Sequence, residues 1–282
     1  MQVINTVAQL RQVVQQARDK GMSIGFVPTM GNLHEGHICL VRQARKQCDL
    51  VVASIFVNPL QFAAGEDLDT YPRTLEADKT KLTMNGCDLL FAPSIHEIYP
   101  QGQQVETTVE LPELSKLHCG ITRPHFFKGV ATVVVKLLGM VQPDQAFFGE
   151  KDFQQLTIIR QVVQELFIPT EIIGVPTIRE ASGLAMSSRN GYLSESERQQ
   201  AALLYQLLLQ TKQQIQQGEL DFTGLELAAN AQLAEQGFVP DYFHICHKQM
   251  LLPATVDDRE LVILAAAKLG STRLIDNICF EV

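Results

Sequence analysis

Four short polar segments carry residue types suited to a phosphorylated substrate. The first is Pro28-Thr29-Met30-Gly31-Asn32-Leu33-His34-Glu35-Gly36-His37. Its two histidines lie three apart, and an imidazole can donate a hydrogen bond to a phosphoryl oxygen whose charge grows in a transition state. Gly31 and Gly36 would let the backbone come close to a ligand. The second is Phe148-Gly149-Glu150-Lys151-Asp152, where Lys151 can reach a phosphate as a mobile point charge. The third is Ala185-Met186-Ser187-Ser188-Arg189-Asn190, in which two hydroxyls and a guanidinium make an anion clamp. The fourth is Phe56-Val57-Asn58-Pro59-Leu60-Gln61-Phe62, where Asn58 and Gln61 can orient a small substrate. Each segment has a plainer reading taken singly. The histidines could be structural or a metal pair, Lys151 an exposed lysine in an acidic helix start, and the serines part of a polar linker. No third Cys or His ligand is obvious, and His-Glu-Gly-His is not the HExxH zinc pattern.

What singles these segments out is the pattern around them. SIGFVP (23–28) reads as a buried strand and Gly36 to Gln47 as a helix, with Ile38, Val41 and Ala44 at helical spacing. LVVASIFV (50–57), apolar on both faces, reads as a central parallel strand. DLLFAP (88–93), QAFFG (145–149) and TEIIGV (170–175) read as further strands. Helices are expected from a Thr6-to-Gln9 capping box to about Lys20, over 129–141 and over 153–167. Alternating β and α implies a Rossmann-like, doubly wound parallel sheet across residues 1–175. In such a sheet ligands bind at the carboxyl ends of strands, beside helix N-termini whose unpaired N–H groups favour phosphate. The first, second and fourth segments follow strands at that edge, and together the four polar segments are expected to converge on it. After about 176 the pattern changes. A Ser194-to-Glu197 capping box opens a Gln-rich helix to about Gln217, a helix follows over 223–236, and strands are expected at 241–246, 260–268 and 273–282. Residues 176–282 therefore form a smaller α+β, lid-like domain.

Composition narrows the partners. The 282 residues suggest one large domain or two ordinary ones, and 46% apolar residues is usual for a globular protein. With 31 acids against 23 bases the net charge is −8, and no long basic run offsets it. Nucleic acid and anionic membrane are thereby disfavoured. No stretch reaches the roughly 18 to 20 apolar residues of a spanning helix, and the N-terminus lacks an apolar signal core. The six scattered cysteines, with no CxxC pair, fit reduced thiols in a cytoplasmic protein.

An HxGH element after the first strand, followed later by a lysine- or serine-containing loop, resembles the nucleotidyltransferase superfamily. PTMGNLHEGH, SIFVNPLQF, GEDLDTYPRTLEAD, FGEKDFQQL, MSSRNGYL and TRLIDN together are similar, in order and spacing, to signatures of the pantothenate synthetase family. The resemblance spans essentially the whole chain. It implies ATP-dependent condensation of pantoate with β-alanine through a pantoyl adenylate, releasing AMP and pyrophosphate. It implies that Met30, Gly31, Asn32, Leu33, His34, Glu35, Gly36 and His37 line the ATP site, with His34, His37 and Lys151 catalytic. Gly149, Glu150, Lys151, Asp152, Met186, Ser187, Ser188 and Arg189 would also contact ATP, and the backbone of Ile178 would hold the adenine. Gln61 and Gln155 would hold pantoate, and Gln61 would border the β-alanine site. Mg²⁺ bound with the ATP phosphates, a homodimer and no resident metal of the protein's own complete the implied picture.

The chain departs from the family in one loop. The family usually reads RPGHFxGV, whereas here Arg123-Pro124-His125-Phe126-Phe127-Lys128-Gly129-Val130 puts histidine at the glycine position and phenylalanine at the histidine position. His118 also stands where an apolar residue is common. Two other readings remain open at this point. A nucleotidyltransferase that keeps the adenylyl group in its product would release no AMP. A non-catalytic nucleotide sensor would not need His37, Lys151 and Ser187 together.

Overall fold

A computed structural model gives the structure of residues 1–63, 65–102 and 107–282. They divide into two units. The first comprises Met1–Lys116, Gly120–Glu150 and Gln155–Pro176, and the second Leu117–Cys119, Lys151–Gln154 and Thr177–Val282.

In chain order, the elements that build the first unit are β1 (Gln2–Ile4), α1 (Val7–Arg18), β2 (Ile24–Thr29), α2 (Glu35–Gln47), β3 (Leu50–Ile55), α3 (Leu75–Met84), β4 (Leu89–Phe91), the one-turn α4 (Ile95–Ile98) and α5 (Cys119–Thr122), α6 (Phe126–Val141), β5 (Gln145–Gly149), α7 (Phe153–Glu165) and β6 (Glu171–Val175). The six strands are all parallel, in the order β1-β4-β3-β2-β5-β6. Side chains alternate across the sheet, as strand geometry requires. Phe26 and Val52 pack on one side with Leu10 and Val14 of α1, Val130 and Leu137 of α6, and Leu156 and Ile159 of α7. Val27, Val51 and Ala53 pack on the other with Ile38, Val41 and Ala44 of α2 and Leu82 of α3. Helices therefore cover both faces, which is why β2 and β3 read as continuous apolar runs. Each buried Val, Leu, Ile or Phe among them is worth roughly 1.5–3 kcal/mol.

The second unit holds α8 (Glu195–Ala201), α9 (Leu203–Gln216), α10 (Phe222–Glu235) and three antiparallel strands, β7 (Val239–His247), β8 (Glu260–Leu269) and β9 (Thr272–Glu281), with β8 central. Alternate residues of β8, from Leu261 through Ile263 and Ala265 to Ala267, pack with Leu204, Leu207 and Leu208 of α9 and Leu225, Ala229 and Leu233 of α10. Ser194 caps α8 with Glu197 in a reciprocal capping box. The helix expected to run on to Gln217 forms as α8 and α9, parted only by Ala202, which keeps helical dihedrals. Among the described residues, no helix is long and apolar enough to cross a membrane. All six cysteines are free thiols.

Four elements are absent from the expectations: β1, α3 and the one-turn helices α4 and α5. The three residues of β1 are too few to show a period, and α3 buries only Asp78 and Leu82, so it carries no apolar stripe. Most other boundaries move by one to three residues, and β5 matches the expected 145–149.

Candidate active site

From β2 the chain steps outward to β3 and β4, then returns to place β5 and β6 on the other side. The loops after β2 and β5 thus leave in opposite directions, at the kind of switch point where open α/β sheets bind ligands. The loop after β2 is Met30 to His34, and β5 ends at Gly149. Sequence reasoning placed the ligand edge here.

A buried carboxylate holds the loop in shape. Asp78, fully buried on α3, accepts from Asn32 N at 2.9 Å, Leu33 N at 2.8 Å and Thr74 Oγ1 at 3.1 Å. Lys81 Nζ holds the Leu33 carbonyl at 2.5 Å. Gly31 and Asn32 both have left-handed backbones, φ 84° and 50°. A Cβ on Gly31 would stand 3.1 Å from Ile55 and 3.3 Å from the Asp78 carboxylate. Glycine is the residue that fits there without strain. Thr29 Oγ1 ties the start of the loop to Ser54 O at 2.7 Å.

His34 is the N-cap of α2. Its Nδ1 accepts from Gly36 N at 3.1 Å, and the side chain also caps the His37 amide. The His34 amide in turn donates to His37 Nδ1 at 3.4 Å. The rings lie 4.1 Å apart between centroids. Both Nδ1 atoms are therefore acceptors, so each neutral imidazole carries its proton on Nε2. This revises one expectation: the amides of Gly36 and His37 are capped by His34 rather than left bare for phosphate. What the helix end offers is its dipole and two Nε2–H donors. Glu35 is half exposed and pairs with Arg42.

Beside β3, Asn58 and Gln61 are buried. Asn58 Nδ2 donates to Gln61 Oε1 at 3.0 Å and to Gly129 O at 3.1 Å, while Tyr99 Oη donates to Asn58 Oδ1 at 2.7 Å. With Oε1 of Gln61 accepting from Asn58, the Gln61 amide is oriented to present Nε2 as a donor. The approach of α6 depends on Gly129, where a Cβ would overlap the Leu60 carbonyl. Arg123 Nη2 holds Gln61 O at 3.0 Å, and Arg123 grips Glu66 through two hydrogen bonds of 2.7 and 2.6 Å. The divergent loop completes this corner. Phe126 lies under the Arg123 guanidinium at 3.9 Å from its ring centroid, and His125 is exposed at the N-cap of α6. Gln155 is half-buried on the first turn of α7.

In the second unit, Lys151 lies in a single 3-10 turn, Glu150–Asp152, with Nζ 3.9 Å from the Asp152 carboxylate. Asn277 Nδ2 donates to its carbonyl at 2.9 Å. Arg179 and Ala185 form an antiparallel bridge, and Met186 N donates to Ile178 O at 2.9 Å. Ile178 and Met186 are thereby held together. Ser187 Oγ accepts from Arg189 N at 3.2 Å and caps the 3-10 turn Ser188–Tyr192. Asn190, buried, donates to Glu180 Oε1 at 2.9 Å and Ala185 O at 3.1 Å. Hydrogen bonds from Arg198 and Asn190 keep the Glu180 carboxyl below its ordinary range, Arg198 contributing most.

Sequence reasoning did not assign Asp78, Tyr99, Gly129 or Asn277. The partners that place them, Asn32 and Leu33 for Asp78, Asn58 for Tyr99 and Gly129, and Lys151 for Asn277, are 41 or more residues away in the chain, beyond what local spacing reveals; only the inclusion of Asp78 in GEDLDTYPRTLEAD and of Asn277 in TRLIDN pointed to them.

A parallel sheet with helices on both faces, whose switch-point loop ends in a histidine-capped helix, defines a doubly wound α/β protein. A family model described as pantoate-beta-alanine ligase matches residues 2–279. Proteins named pantothenate synthetase from Pseudomonas fluorescens (strain Pf0-1) and Hahella chejuensis (strain KCTC 2396) are 58% and 56% identical over 278 residues, covering 99% of this chain and 97% and 98% of theirs. The crystal structure of pantothenate synthetase from Thermus thermophilus matches with a TM-score of 0.92 at 45% identity, over 99% of both chains. That of pantoate-beta-alanine ligase from Francisella tularensis, complexed with beta-gamma ATP and beta-alanine, matches at 0.83 and 35% identity, over 99% of this chain and 97% of that one. The chain belongs to the pantoate–beta-alanine ligase family. It is a ligase that joins pantoate to β-alanine.

Proposed function

We propose that ATP drives this ligation in two steps. The pantoate carboxylate attacks the α-phosphorus of ATP and expels pyrophosphate, giving pantoyl adenylate. The amine of β-alanine then attacks the acyl carbon and expels AMP. A carboxylate is ionised at neutral pH, so the first step needs no general base. It needs alignment and charge stabilisation. The observation that carries the reading is the capping geometry of His34 and His37, which fixes both imidazoles as Nε2–H donors at the positive end of α2.

The role of each residue follows from that geometry and the family likeness. His34 and His37 meet charge on the phosphoryl oxygens, and Lys151, Ser187 and Ser188 of the second unit are assigned to the same phosphates. Met30 to Leu33, Glu35, Gly36, Gly149, Glu150, Asp152, Ile178, Met186 and Arg189 are assigned to ATP. Gln61, with its amide turned by Asn58, donates Nε2–H to pantoate beside the β-alanine site, and Gln155 holds pantoate as well. Mg²⁺ fits as an ion brought by ATP. Among the described residues no group of three His, Cys, Asp or Glu could hold a metal, and Mg²⁺ is ordinarily held by one or two carboxylates with substrate phosphates. When bound it would offset phosphate charge. The reading extends to a homodimer in the cytoplasm.

The test is AMP formation from ATP and Mg²⁺ with pantoate and β-alanine supplied together and each omitted in turn. AMP that needs both, with pyrophosphate exchange on pantoate alone, is the expected result. ATP binding without pantoate-dependent exchange would overturn the two-step reading.

A further inference from the structure

We propose that Asn277 is a positioning residue for Lys151, and that the Asp276–Asn277 pair on β9 sets two of the ligase's polar segments at once. The inference rests on the assignment of Lys151 to the ATP phosphates. Neighbouring residues on a strand point to opposite faces. On one side, Asn277 Nδ2 donates to the Lys151 carbonyl at 2.9 Å. On the other, Asp276 takes Arg179 in two hydrogen bonds of 2.6 and 2.9 Å. Arg179 continues to Gly183 O at 3.1 Å and lies 3.4 Å from the centroid of the Tyr205 ring. It also forms the bridge with Ala185, from which the chain enters Met186 to Arg189. Asp276 Oδ1 accepts the Asn277 amide at 2.8 Å, so the two arms share one anchor.

The setting argues that these groups are there for position. Asp276 and Asn277 are 5% and 7% exposed, and their register partners on β8 are Ala265 and Leu264. A carboxylate and an amide buried midway along an edge strand, opposite apolar partners, are costly unless their bonds are made. Here the bonds made are to the backbone of Lys151 and to the arginine that closes the serine loop. A lysine side chain has four rotatable bonds, so its ammonium finds a phosphate reliably only if its backbone origin is fixed. A displacement of about 1 Å at such a site can cost on the order of 100-fold in rate.

The experiment compares Asn277→Leu, which keeps much of the volume but removes the donor, with Asn277→Ser as a smaller second variant should the first fail to fold. Both are also made in a Lys151→Ala background. Pantoate-dependent pyrophosphate exchange reports the first step; β-alanine attack on supplied pantoyl adenylate reports the second. The expected result is exchange slowed about 10- to 100-fold, with the second step within about twofold of the parent and little further loss when Lys151 is already absent, as residues acting through one another are non-additive. Parallel loss of both steps, normal exchange, or a full additive loss in the Lys151→Ala background would overturn it. Normal exchange in Lys151→Ala alone would instead overturn the assignment of Lys151.

Discussion

Lowering the pH from 7 to 5 should cost this protein about 2 kcal/mol of folding stability through one imidazole, His118. The residue is buried in the second unit, with a left-handed backbone at φ 44°. Its Nε2 stands 2.8 Å from the Leu251 carbonyl, which can only accept, so the neutral ring carries its proton there. Its Nδ1 then accepts across 2.9 Å from His244 Nδ1–H. The Cys246 thiol and the Tyr242 ring close the site. Protonating His118 with His244 in that tautomer sets one N–H against another in a buried site. Burial is the main reason its pKa falls from 6.5 to about 4, opposed by the Leu251 carbonyl. The unfolded chain takes up the proton near 6.5 and the folded chain only near 4, so stability is complete above 6.5 and drains as the pH falls toward 4. The whole shift is worth roughly 3 kcal/mol, of which about 2 is gone by pH 5. The assay is urea unfolding followed by circular dichroism from pH 8 to 5, for the parent and for His118→Asn. Asparagine tolerates the left-handed backbone and does not titrate. Carboxylates titrate in both proteins, so the difference between their slopes reports His118 together with its contact to His244. Equal slopes would refute the reasoning.

Lys151→Ala should slow pantoate-dependent pyrophosphate exchange by about 100-fold or more, the scale of one lost transition-state donor; near-parent turnover would remove Lys151 from the chemistry. Asp78→Ala should destabilise the protein by about 3 kcal/mol, because the amides of Asn32 and Leu33 lose their acceptor, and should raise the KM for ATP. An unchanged urea midpoint would show that the loop holds itself. Gly129→Ala should cost several kcal/mol or prevent folding, since its Cβ overlaps the Leu60 carbonyl; a soluble variant with normal stability would mean that α6 yields more easily than its packing suggests. Gln61→Ala should raise the pantoate requirement while leaving ATP binding nearly unchanged, and weakened ATP binding with normal pantoate dependence would refute that division.

Local pattern revealed the elements that bury apolar faces. The runs at 50–57 and 145–149 could be read because both faces of those strands are covered, which leaves an uninterrupted apolar signal. The segment after β2 could be placed because glycines and histidines between a strand and a helix have few other uses. α3 went unread for the opposite reason. It buries one leucine and one carboxylate that accepts from a loop 45 residues earlier, and a pair so placed makes no period within the helix. The uncapped-amide expectation for α2 failed on similar grounds. Spacing shows that His34 precedes the helix but not that its ring turns back to cap it.

The divergent loop shows what the missing histidine is replaced by. Phe126 offers a ring face to Arg123, and a cation over an aromatic ring is worth roughly 0.5–2 kcal/mol. Arg123 directs its donors to Glu66 and to the Gln61 carbonyl, so the packing of Phe126 bears on the Gln61 backbone rather than on any proton. A ring that neither donates nor accepts can hold an arginine plane but cannot take part in acid–base chemistry. In this chain the corner beside Gln61 is therefore held in shape and orientation from Tyr99 through Asn58 on one side and from Phe126 through Arg123 on the other, and under the proposed function the charge of the phosphates falls to the histidines of α2 and to Lys151.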